Sequence, residues 1–188
     1  EFMEGSEALT LEASVAERFR WVKQAVQKLE GRASEFQKYD AVSGCAHVFP
    51  DSQVMKFKAV FEHARANTKD GLRAVDAVID FMGQSSGGGE KPVRTGAVLR
   101  CSKKPRDPVA YEKAKDDLER GRAYCFCPII RRFLDGGMPH SFCYCGSGWY
   151  RRQWEGAIGK PLKRIEIVKS LLKGDDVCEF AIHLPDDV

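Results

Sequence analysis

The apolar positions in the first part of the chain recur at helical spacing. Leu11, Val15, Phe19, Val22, Val26 and Leu29 repeat every three or four residues and mark one face of a helix. Thr10 is the expected N-cap and Gly31 the expected stop. A second, shorter helix is predicted over 32–43, ending at Gly44. A third is expected to start near Ser52, with Val54, Phe57, Phe61 and Ala64 on one side. A fourth, capped by Asp70, carries Leu72, Val75, Val78 and Met82. These stripes read as packing surface and bear no chemistry.

The pattern changes at Gln84, where a Ser/Gly run breaks the helical series. Beyond it Val93, Thr95, Ala97, Leu99 and Cys101 alternate with other residues, as one strand would. Asp107 followed by Pro108 predicts a helix start, and Gly121 closes a helix reaching about Arg120. Segments 124–130 and 141–145 are short and apolar. Gly146-Ser-Gly148 leads into a helix that carries Trp149, Trp154 and Ile158 and ends at Gly159. After Pro161 a strand reaches about Leu172, and Lys173 to Asp176 form a turn. The last strand, 177–184, puts Cys178, Phe180, Ile182 and Leu184 on one face. The expected fold is α+β: N-terminal helices packed on an antiparallel sheet, with a C-terminal helix followed by a β-hairpin. Residues 1–8 are set aside as a tag and loose terminus, because Glu1-Phe2 before Met3 reads as a cloning remnant. Residues 9–188 then form one domain: a helical half (9–84), a Gly/Ser loop (85–92) and a cysteine-rich mixed half (93–188).

Composition narrows the function classes. The 188 residues suffice for a core without covalent staples, and no run of 18 apolar residues could cross a membrane. Seven cysteines without a secretory leader point to reduced thiols and a cytoplasmic setting. The net charge of +3 is unevenly spread. Stretch 122–173 holds ten Lys or Arg against three acids, which favours an anionic partner. Nucleic acid is not the expected partner, because no finger spacing, reading helix or recognition signature is present. Haem lacks an attachment motif and an obvious axial histidine.

Two Cys-x-Cys pairs, Cys125–Cys127 and Cys143–Cys145, lie fifteen residues apart, with His140 just before the second. In extended chain both thiols of a pair point to one face, with Cα atoms about 6.6 Å apart at about 3.3 Å rise per residue. Thiolates can converge on zinc from that span, so Cys125, Cys127, Cys143 and Cys145 form a candidate metal set. The alternative is plain packing, since free cysteine behaves as a small buried hydrophobe. Cys178 reads as core that could reach the site from a neighbouring strand. As chemistry, Cys143 or Cys145 is a candidate nucleophile with His140 as its proton partner, near the start of a helix that favours a thiolate. Trp149, Arg151 and Arg152 are candidate ligand contacts for a small anionic or aromatic molecule.

The run Phe142-Cys-Tyr-Cys-Gly-Ser-Gly-Trp-Tyr, the Gly159-Lys-Pro helix end and the strand Gly174-Asp-Asp-Val-Cys-Glu-Phe resemble the C-terminal segment of the 4-vinyl reductase domain superfamily. They are closest to its relatives among the L-2-amino-thiazoline-4-carboxylic acid hydrolases and uncharacterised proteins. The resemblance covers 142–184 and implies helices on an antiparallel sheet, often paired as a homodimer. It also implies metal binding through cysteines of the last hairpin in some members. Cys178 matches the later of those positions, but Ser170 stands at the earlier one. The hydrolase relatives imply a cysteine-assisted ring opening, with Cys143 and Cys145 in the corresponding region. The leading expectation is a small-molecule-binding domain with a cysteine-lined site that takes zinc. A cysteine-dependent hydrolase of a small carboxylate-bearing C–N or C–S substrate is the alternative.

Overall fold

A computed structural model describes residues 13–44, 49–84 and 91–188. Thr10, Leu11, Cys45, His47 and most of the Gly/Ser break lie outside the described residues. Helix α1 spans Val15–Glu30 and is capped by Ser14. The Ser14 hydroxyl accepts from the Glu17 amide at 3.2 Å, and the Glu17 carboxylate accepts from the Ser14 amide at 2.7 Å. Helix α2, Glu35–Ser43, begins with the same reciprocal arrangement between Ser34 and Gln37. It therefore starts three residues later than the expected 32, because Ser34 satisfies the first free amides. Helix α3 is Asp51–Thr68. Lys69, left-handed at φ 54°, ends it, and Asp70 caps helix α4, Gly71–Gly83.

The expected single strand after the break is a tight hairpin. Strand β1 is Val93–Thr95 and strand β2 is Val98–Ser102, and the chain reverses between them with Gly96 at φ +59°. Arg94 of β1 clamps Asp76 of α4 through two guanidinium contacts, Nε to Oδ1 at 2.6 Å being one. The helix expected over 108–120 is two. Helix α5, Pro108–Lys113, stops where Ala114 turns extended (ψ 134°). Asp116 then caps helix α6, Asp117–Tyr124, which runs through Gly121. A second cap nearby lets the chain restart, and a mid-helix glycine costs only about 1 kcal/mol.

Helix α7 is Tyr144–Ile158 and ends at Gly159 with φ +75°. Strands β3 (Arg164–Lys169) and β4 (Glu179–His183) form the expected antiparallel pair, but β3 ends before the expected Leu172, because Leu171–Lys173 make a 3-10 turn. The sheet order is β1-β2-β4-β3, antiparallel throughout, with Cys101 opposite Phe180 and Ile165 opposite Ile182. The architecture is α+β, with the N-terminal helices preceding the strands. Helix α7 is the hub: it packs on α2 and α3 and touches β3. Trp154, Leu99, Phe180, Ile182 and Leu184 are fully buried around it. A Cβ on Gly156 would come within 2.3 Å of Val54 Cγ1, so the glycine permits the close approach of α7 to α3. No helix among the described residues is long and apolar enough to cross a membrane.

Candidate functional site

Five cysteines reach one place from three parts of the chain. Cys125 is the first residue past α6 and is extended (φ −71°, ψ 127°). Its amide donates to Gly121 O at 2.9 Å, and Cys127 follows two residues on. The second pair is not extended. His140–Cys143 make a single 3-10 turn, Cys143 is the cap residue of α7, and Cys145 lies in the first turn of that helix. Cys178 enters from the start of β4. A cavity of about 80 Å³ is lined by Cys125, Cys127, Cys143, Cys145, Cys178 and Lys103, with Phe126, Phe142 and Phe180 among its apolar walls.

Tyr124 ties these elements together. Its hydroxyl accepts from the Cys178 amide at 2.8 Å and donates to Lys103 O, and the Lys103 amide donates to Cys178 O at 3.1 Å. The ends of α6 and β2 and the start of β4 are thus joined through one buried phenol. Lys103 is held differently. Its ammonium lies 5.7 Å from the ring centroids of Phe126, Tyr150 and Phe180, and its nearest polar contact is Gly146 O at 3.4 Å. Lys103 makes no ion pair among the described residues and is the one charged side chain in the cavity wall.

The cavity favours neutral thiols. Burial pushes Cys125 up to about 12, and the neighbouring Cys127 and Cys178 sulfurs add to this. Burial also raises Cys143, helped by Cys178, Cys125 and Cys127. Cys178 is raised by burial as well. The positive charge of Lys103 works the other way on Cys125 and Cys178. Ser170, fully buried, pulls the Cys143 thiol down through its hydroxyl, which has no other hydrogen-bond partner among the described residues. A neutral thiol is a weak nucleophile, so a reaction here would need an external group to draw off the proton.

The remaining expected site residues lie elsewhere. His140 is not in the cavity wall; it stands close enough to Glu30 for its charge to act on that carboxylate. Trp149 packs edge-on against Phe49, with centroids 4.9 Å apart, and is 38% exposed. Arg151 bonds Asp40 at 3.0 Å, Ser43 at 2.9 Å and Glu155 at 3.3 Å, and its guanidinium covers the Tyr39 ring. Arg152 bonds Asp51 and donates to Phe49 O at 3.2 Å. Both arginines face a separate, larger groove of about 290 Å³ between α7, α2 and α3, and acids already engage both. The structure therefore brings the four paired cysteines together and leaves His140, Trp149, Arg151 and Arg152 outside. Cys178, read as core that could reach the site from a neighbouring strand, is also in the wall, and the structure adds Lys103. Lys103 had a sequence signal: it continues the alternation of Leu99 and Cys101, whose side chains are buried.

Five sulfurs suit a soft ligand, zinc included. Among the described residues no three His, Cys, Asp or Glu side chains are drawn together as a ready-made metal site. No family model, curated protein or solved structure matches the chain.

Proposed function

We propose that this protein is a binding domain whose cysteine-lined cavity takes a small, thiol-seeking ligand: a soft metal ion such as zinc, or a compact molecule of similar affinity. The observation that carries the reading is the convergence of Cys125, Cys127, Cys143, Cys145 and Cys178 on one cavity from three separate segments. Isolated cysteines are ordinary packing residues, but five lining one cavity with a lysine offer a choice of soft donors to a ligand that enters it. Burial-raised thiols remain protonated until a cation displaces the proton, which suits capture rather than attack. A hydrolase using Cys143 or Cys145 has less support, because His140 lies beside Glu30 and the cavity wall holds no other proton acceptor of its kind.

The test is protection of thiols in the folded, reduced protein. Iodoacetamide labelling is read by mass spectrometry with and without zinc(II) and cadmium(II). The expected result is suppressed labelling of those cavity cysteines that hold the ion and release of protons on binding. Unchanged labelling at all five with both of these ions, and with copper(I) under anaerobic conditions, would sink the reading.

A further inference from the structure

The cavity has an asymmetry that bears on which ion it takes. Its wall offers five sulfurs but a single cation, Lys103, and no carboxylate. Among the described residues no acid pairs with Lys103. Three aromatic rings surround its ammonium at 5.7 Å, and one carbonyl lies at 3.4 Å. Rings compensate an ammonium only in part, so the site holds one unit of positive charge that an anion would neutralise.

Charge counting then separates the candidates. A divalent ion held by four thiolates is a group of charge −2, leaving one negative charge unmatched among Phe, Leu and Ile side chains. Burying an unpaired charge of that kind is costly. A divalent ion on three thiolates matches Lys103 but needs a fourth ligand; a further cysteine would bring excess charge as a thiolate or bind weakly as a neutral thiol, and Gly146 O and the Tyr124 hydroxyl are already engaged. A monovalent soft ion on two thiolates has charge −1, which one lysine balances, and its coordination is complete. Thiolates also select copper(I) by softness.

The Lys103 charge acts on the Cys125 and Cys178 thiols, and the local contacts bring their segments to it. The Lys103 amide bonds the Cys178 carbonyl at 3.1 Å, and its ammonium lies over Phe126, the residue next to Cys125. Tyr124, which precedes Cys125, bonds the Cys178 amide. We propose that the cavity takes copper(I), held in two-coordinate fashion by the sulfurs of Cys125 and Cys178, with Lys103 offsetting the negative charge of the complex. This rests on the soft-ligand reading above. The ion arrives as copper(I), so no electron is transferred. Two S–H bonds break, two Cu–S bonds form, and two protons leave to solvent, so the charge of +1 is conserved.

The experiment is an anaerobic competition of the reduced full chain with a chromophoric copper(I) chelator, followed by X-ray absorption of the complex. One equivalent of copper and a shell of two sulfurs are expected. Cys125→Ser and Cys178→Ser lower copper(I) affinity by about a hundredfold or more, as loss of one of two ligands requires. Lys103→Met lowers it by about tenfold, and Lys103→Arg restores most of the loss, because the charge is kept. Circular dichroism of each variant excludes unfolding as the cause. A three- or four-sulfur shell, unaltered affinity in Lys103→Met, or cadmium binding that copper(I) does not displace overturns this inference and leaves the soft-ligand reading standing. Failure of every soft ion to bind overturns both.

Discussion

Replacing Tyr124 with Phe probes the joint between fold and cavity. The ring stays and one oxygen goes, so packing against Tyr111, 6.0 Å away between centroids, is preserved. The loss falls on two hydrogen bonds: the Cys178 amide loses its acceptor at 2.8 Å, and Lys103 O loses its donor. Tyr124 is 1% exposed, so water does not readily replace either partner. An unsatisfied buried amide or carbonyl costs about 1–3 kcal/mol. A carbonyl tolerates the loss better than an amide, so the sum is about 2–4 kcal/mol. In a chain of this size that lowers Tm by roughly 4–16 °C. Urea unfolding measures the global term. Native-state labelling measures the local one, because the start of β4 loosens and Cys125 and Cys178 become faster to alkylate. A loss below about 1 kcal/mol with unchanged labelling of both cysteines refutes the view that Tyr124 holds the cavity together.

Three further outcomes follow from particular contacts. The stability of the ligand-free protein should fall as pH rises from about 9 towards about 12. Cys101 and Cys125 are both held near 12 when folded, while unfolded thiols ionise near their ordinary value of 9.0. In that window the unfolded state binds fewer protons, so each such thiol removes up to about 1.4 kcal/mol per pH unit. A urea midpoint flat across this range contradicts it. Lys38→Met should cost about 2–3 kcal/mol by calorimetry, because the buried ammonium bonds Glu30 and Glu35, each at 2.8 Å. That is less than for a fully buried pair, since the Glu35 side chain is 64% exposed. Gly156→Ala should destabilise by about 1–3 kcal/mol through the Val54 contact, and Val54→Ala in the same chain should recover much of it; a single variant as stable as the parent excludes that close approach.

The elements set by local rules were legible in the sequence. The 3.6-residue stripes gave α1, α3 and α4, and the alternation after Pro161 gave the terminal hairpin. The errors lie where two local signals compete. Ala97 keeps the alternation of a single strand, yet its neighbour Gly96 adopts positive φ and folds that strand into β1 and β2. Asp116 can cap a helix as well as lie within one, and the structure uses it as a cap, dividing the predicted helix into α5 and α6. The Cys143 pair lies where a 3-10 turn passes into α7, and no periodicity marks such a junction.

Sequence proximity was a sound guide to the cavity only for residues fixed by the same short segment. Arg151 and Arg152 follow Cys145 closely, but a helix turns about 100° per residue, so five or six positions beyond Gly146 the side chains have left its face. They join Gly148, Glu155 and Gly156 on the stripe towards α2 and α3. Tyr150, four residues past Gly146, returns to the cavity side and closes the ring cage around Lys103. Helix α7 therefore separates two environments. One side is arginine-rich with its acids in place, and the other is sulfur-rich with one ammonium that no acid among the described residues pairs. The basic excess of stretch 122–173 thus does not describe the cavity, because its arginines on α7 are spent on Asp40, Asp51 and Glu155. The charge in the cavity wall comes from Lys103, outside that stretch, delivered by a strand pairing of residues 75 positions apart.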